Sequence, residues 1–121
     1  MASYRIGVGT TDGENITEHF GRLKQFKIIE INSETGEELF IADIEVVVVC
    51  GQSEGSHDDL IQDKVQALLD FNVKAILVNH IGPGAERIVT KNGIEVLIHD
   101  GSVREALDTL KKYYSKQLNI L

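Results

Sequence analysis

The sequence predicts an α/β protein built on a mixed five-stranded sheet flanked by helices. Three observations lead there. In the second half of the chain, short apolar runs alternate with stretches of helical periodicity, the pattern of strands joined by helical crossovers. The first half holds a turn sequence, Asn32-Ser33-Glu34-Thr35-Gly36, between two strand-like runs, which predicts an antiparallel hairpin. Two capping boxes, at Ser56-His57-Asp58-Asp59 and Ser102-Val103-Arg104-Glu105, mark helix starts.

Taken in order, the first strand is Tyr4 to Gly9, and a polar loop, Thr10 to Glu18, leads into His19-Phe20-Gly21-Arg22. Phe26 to Ile31 is the second strand and Leu39 to Val49 the third, whose all-valine end, Val46 to Val49, is expected to be buried. The small polar loop Cys50 to Gly55 precedes a helix with Ile61, Val65, Leu68 and Leu69 as its apolar stripe. Lys74 to Asn79 reads as a fourth strand, buried on both faces. The chain breaks at His80-Ile81-Gly82 and restarts as a helix with Pro83, its only proline, running to about Lys91 before Asn92-Gly93 stops it. Ile94 to Ile98 is the fifth strand. The last helix runs to about Tyr114, with Val103, Ala106, Leu107, Leu110, Tyr113 and Tyr114 on one face, and residues 116–121 are expected to be a loose tail. Hairpins reverse the second strand and helical crossovers make the others parallel, so the expected strand order is 3-2-1-4-5.

Composition narrows the function. At 121 residues the chain is read as a single domain, residues 1–121, long enough for a real core. A net charge of −7 argues against a nucleic-acid partner, because phosphate backbones call for a basic footprint. No apolar run reaches the ~18 residues of a membrane span, and the N-terminus lacks a signal-peptide pattern. With one cysteine, no internal disulfide forms and a four-thiolate zinc or iron–sulfur site is excluded within one chain; a reducing cytoplasm is the expected home.

In that topology strands one, three, four and five finish at one edge, and His19, Cys50, His57, His80 and His99 fall in or beside loops there. The carboxyl edge of an open α/β sheet is the usual place for a ligand. The turn Gly82-Pro83-Gly84 presents a helix N-terminus, with free N–H groups and partial positive charge, to an anion. A tight strand-to-helix turn without a ligand explains the same residues. Cys50 beside Gly51 near a helix start is either a small hydrophobe or a thiolate donor. His57 at a first helical position is biased by the helix dipole toward its neutral, metal-binding form, and a surface histidine with no role is the alternative. Asp58 and Asp59 are sufficiently explained as first-turn carboxylates, and His99 in Ile98-His99-Asp100-Gly101 by a turn. One thiolate and a few imidazoles suit a soft metal or a cluster that brings its own sulfides. No Ser-His-Asp order, Walker loop or G-x-G-x-x-G occurs. The rival to a cluster carrier is an enzyme that binds a phosphorylated small molecule on the glycine turn, with Arg22 and Arg87 as the nearby cations.

These residues resemble the nitrogenase iron–molybdenum cofactor biosynthesis family, which includes NifX-like carriers, the cofactor-binding domain of NafY and the C-terminal portion of NifB. The resemblance spans roughly Tyr4 to Tyr114. It rests on His-Phe-Gly-Arg at His19 to Arg22, the segment Cys50 to Asp59, Ile-Gly-Pro-Gly-Ala at Ile81 to Ala85, and Asn-Gly-Ile-Glu-Val at Asn92 to Val96. It implies a ribonuclease H-like fold and a non-catalytic protein that binds an iron–molybdenum cofactor, its precursor or another metal–sulfur cluster. Such a protein passes the cluster between cofactor-assembly and acceptor proteins, as a monomer or weak homodimer. By position it makes Cys50, His57 and His19 the metal ligands and lays Gly82, Pro83, Gly84, His80 and Arg22 against the cofactor. Two departures stand out. Close relatives often carry Arg where this chain has His80, and the multi-cysteine radical domain of NifB is absent.

Overall fold

A computed structural model describes residues 3–10, 12–16, 20, 24–46 and 57–118, apart from the side chains of 57–60 and 115–118. The apolar runs form strands β1 (Ser3–Val8), β2 (Asn15–Ile16), β3 (Gln25–Asn32), β4 (Glu38–Glu45), β5 (Val73–Val78), β6 (Glu95–Ile98) and β7 (Gly101–Ser102). Between them lie helices α1 (His57–Asp70), α2 (Pro83–Lys91) and α3 (Val103–Leu118). Five strands make one mixed sheet in the order β4-β3-β1-β5-β6. β3 runs antiparallel to β1 and β4, and β5 runs parallel to β1 and β6.

The sheet separates two cores. Phe26, Ile28, Ile76 and Val78 on one face meet Ile61, Val65 and Leu68 of α1 and Val89 of α2. Ile6, Val8, Ile29, Ala75 and Leu77 on the other meet Val103, Ala106, Leu107 and Leu110 of α3. β5 thus contributes alternate residues to both cores, as expected of a central strand in parallel surroundings. Gly7 lets α1 lie close on β1: a Cβ there would come within 3.1 Å of Leu68 Cδ2 and 3.4 Å of Phe26 Cδ1.

The local signals act as their chemistry dictates. In the hairpin turn, Asn32 Oδ1 accepts the N–H groups of Glu34 (2.8 Å) and Thr35 (3.0 Å), and Gly36 takes φ 78°. Ser102 Oγ accepts the Glu105 N–H at 3.0 Å and so caps α3. Gly93 takes φ 89° just beyond α2.

Four features differ from the sequence expectation. Among the described residues β4 ends at Glu45, which pairs with Gln25, the first residue of β3, so Val46 is not part of the strand. Val46 lies beyond the strand, half-buried, with its N–H on the Lys24 carbonyl (2.7 Å), and Val47 to Val49 lie outside the described residues. The loop after β1 contains β2, which pairs antiparallel with β7. α3 continues to Leu118, a turn past Tyr114. On it Tyr113 is 38% exposed, turned out to Glu95, while Tyr114 is buried.

Candidate functional site

The strand directions bring the ends of β1, β4, β5 and β6 to one edge, together with the start of β3. From the middle of that edge rises the turn that joins β5 to α2. Ile81 is buried in the core beneath it, whereas His80, Pro83 and Gly84 are exposed. Gly82 is the N-cap of α2 at φ −71° and ψ 155°, and no side chain caps the helix. The first backbone bond of the helix is Glu86 N–H to Gly82 O (2.9 Å). Gly84 and Ala85 N–H therefore have no intrahelical acceptor and point with the helix dipole toward the edge.

Packing among the described residues does not explain the two glycines of this turn. Among the described residues, a Cβ built on Gly82 or Gly84 meets no atom within 4 Å. Neither has a positive φ, so an L side chain is admissible at both. Gly7 is the contrast, since its Cβ would strike the core.

A second segment is pinned beside this turn. Phe20, the residue after His19, is fully buried and stacks 6.2 Å from Phe26. Its N–H donates to the His80 carbonyl at 2.8 Å, and its own carbonyl accepts from Lys64 Nζ at 2.7 Å. The Lys64 ammonium lies 4.8 Å from the Phe20 ring centre. Nearby, Asn79 Nδ2 donates to Ile16 O (3.5 Å), and Val103 N–H to Glu14 O (2.8 Å), so the loop after β1 folds back onto the edge.

Of the sequence-predicted site residues, Gly82, Pro83, Gly84 and His80 stand together on the β5–α2 turn. His57 is the first residue of α1; its side chain, and all of His19, Arg22 and Cys50, lie outside the described residues. Among the described residues no three His, Cys, Asp or Glu side chains gather into a metal site. His99 follows β6 on the same edge, its N–H on Val78 O (3.0 Å) and its Nε2 buried without a hydrogen-bond partner. Asp12 has a turn role: backbone N–H groups of Asn15 and Glu14 hold its carboxyl below the usual range. Lys64 was missed by the sequence reading, although its place three residues after Ile61 and four before Leu68 puts it on the apolar stripe. A cavity of about 500 Å³ lies at the opposite edge, among Tyr4, Asn32, Thr35, Gly36, Lys111 and Tyr114, away from the β5–α2 turn.

Fold and edge together define an α/β protein of the kind that receives a ligand at the carboxyl ends of an open sheet. The chain belongs to the dinitrogenase iron–molybdenum cofactor family, whose pattern matches residues 2–113. No functionally curated protein matches it. Among solved structures, it is similar to a Thermotoga protein provisionally named NifB, of the DUF35 family, at 19% identity and TM-score 0.60, over 90% of this chain and 88% of that one. A Methanocaldococcus jannaschii protein provisionally named a dinitrogenase matches at 17% identity and TM-score 0.61, over 93% and 91%. The apo form of the orange protein from Desulfovibrio gigas matches at 19% and 0.60, over 88% and 85%. At these identities the likeness is one of fold. No helix among the described residues is long and apolar enough to cross a membrane.

Proposed function

We propose that this protein binds an iron–molybdenum cofactor, a precursor of it or a related iron–sulfur or molybdenum–sulfur cluster, and delivers it during nitrogenase-type cofactor assembly. The cluster is cargo, and the protein acts on it without catalysis, between an assembly protein and an acceptor protein in the cytoplasm. The observation that carries this reading is the Gly82-Pro83-Gly84 turn, whose glycines no backbone demand, and no packing among the described residues, accounts for. Open space above an uncapped helix start suits a bulky, electron-rich body held by backbone N–H groups and the helix dipole. Family membership supplies the chemical class of the cargo. The sheet is taken as ribonuclease H-like on the same grounds.

Cys50, His57 and His19 are the proposed donors to the cluster metals, with His80 and Arg22 beside it. A single thiolate with neutral imidazoles binds soft metals without enclosing them, and His80 stands where a relative's arginine would give charge alone. The test is anaerobic reconstitution with separately prepared iron–sulfur and molybdenum–iron–sulfur clusters, followed by gel filtration. Co-eluting metal with charge-transfer absorption is expected, and Cys50→Ala should weaken retention more than replacement of any one histidine. If neither metal nor absorption co-elutes with any of these clusters, the reading is wrong.

A further inference from the structure

α1 carries a lysine inside the apolar core. Lys64 is 1% exposed and lies within the stripe made by Ile61, Val65 and Leu68. Burying an ammonium is strongly unfavourable unless it is hydrogen-bonded, and a methionine would hold α1 to the sheet without that penalty. The charge therefore calls for a reason beyond core packing.

The contacts supply one. Lys64 Nζ donates to Phe20 O at 2.7 Å and sits over the Phe20 ring, while Phe20 N–H donates to His80 O at 2.8 Å. Both backbone polar groups of Phe20 are thus committed, one to α1 and one to the turn that follows β5. Phe20 is the residue next to His19, and α1 starts at His57. Lys64 lies two turns into the helix that His57 begins.

We infer that Lys64 is a positioning residue of the proposed site, clamping Phe20 between α1 and the turn that carries His80. The cargo this serves rests on the proposed cluster reading; the clamp itself is a property of the polypeptide. A hydrogen bond from a charged donor is stronger than a neutral one and directional, so Lys64 holds the Phe20 backbone more firmly than apolar packing of its ring alone would.

The test is Lys64→Met, close in size and without a donor, in the full-length protein. Hydrogen exchange at the Phe20 amide should quicken by ~10-fold or more, while exchange at Ile76 in β5 and the circular dichroism stay as in the wild type. Retention of a reconstituted iron–sulfur cluster should fall by about 10- to 100-fold, as when a group that orients a metal ligand is removed. If Lys64→Met does not fold, Lys64→Gln, which keeps an N–H at shorter reach, is read by the same two measurements. Unchanged Phe20 exchange, or unchanged cluster retention with Phe20 loosened, overturns the inference. A wild type that takes up no cluster, with Phe20 loosened in the variant, sinks the cargo reading and leaves the clamp standing.

Discussion

Gly84→Ala should make the protein more stable and a poorer binder. Gly84 lies in the first turn of α2, is exposed, and offers no described atom within 4 Å of an added Cβ. Alanine is a better helix former than glycine by about 1 kcal/mol in a helix interior, and half of that is a fair figure for a first turn. With an unfolding entropy of roughly 2.1 cal/mol/K per residue over 121 residues, ~0.5 kcal/mol raises Tm by about 2 °C. Gly82→Ser should follow the same trend, since φ −71° and ψ 155° suit any residue and serine caps at least as well as glycine. Binding moves the other way. A methyl group pressed against a packed neighbour costs about 1–3 kcal/mol, which in Kd is roughly 5- to 150-fold. Differential scanning calorimetry of the apo variant and metal retention after anaerobic reconstitution give the two signs separately. A lower Tm would mean that the space above Gly84 is not open. A higher Tm with wild-type retention would mean that the cargo does not lie on this turn.

Three further outcomes probe the scaffold. Gly7→Ala should destabilise by ~1–3 kcal/mol, because its Cβ would sit 3.1 Å from Leu68 Cδ2 with Ile76 and Phe26 at 3.4 Å; an unchanged urea midpoint would show that α1 does not press on β1 there. Glu38 is held below its ordinary value of 4.5, first by the hydrogen bond from Arg104 and then by Lys111. Its contribution is therefore complete above about pH 4.5 and lost as the pH falls through the depressed value, so Glu38→Gln should narrow its stability deficit on acidification from at most ~1 kcal/mol at neutrality. Tyr114 is raised above its ordinary 10.0, chiefly by burial and then by its bond to Glu95. Its neutral form stabilises the fold below pH 10 and that support declines as the pH rises beyond it, so wild type and Tyr114→Phe should diverge in thermal melts between about pH 9 and 11.

The parts of this fold that the sequence announced are those where local chemistry and long-range packing agree. Ser102 and Gly93 bound their helices because a hydroxyl cap and a left-handed residue do the same job in almost any context. β5 is legible as a buried strand because Ala75 to Val78 are apolar without interruption. The end of β4 is different: Val46 satisfies every strand preference, yet the described ladder closes at the Gln25–Glu45 pair and leaves it outside. The β2–β7 ribbon was hidden because two residues carry no periodicity, and its pairing joins positions some 86 apart. Lys64 was passed over because a lysine is by default a surface residue. Its signal was present in the helical spacing, but its partner, the Phe20 carbonyl, belongs to a loop whose path no sequence pattern describes.

The same division explains why a weakly enclosing site can still be accurate. β5 takes its position from two cores, through Ile76 and Val78 on one face and Ala75 and Leu77 on the other, so the turn it carries starts from a rigid base. Phe20 and Ile81 seal the first core beneath that turn, and the exposed residues above it contribute nothing to either core. Precision therefore comes from below, through packed residues that never touch a ligand. A site supported in this way has no need of a surrounding cage to hold its geometry. On the proposed reading, release of cargo would break only contacts above the turn and leave both cores intact. A closed tetrahedral site reverses this relation, because there the metal itself organises the fold and leaves only as the fold is lost. For a carrier of the proposed kind, geometry set by the polypeptide and affinity set by a few donors would be separable quantities, divided at the β5–α2 turn.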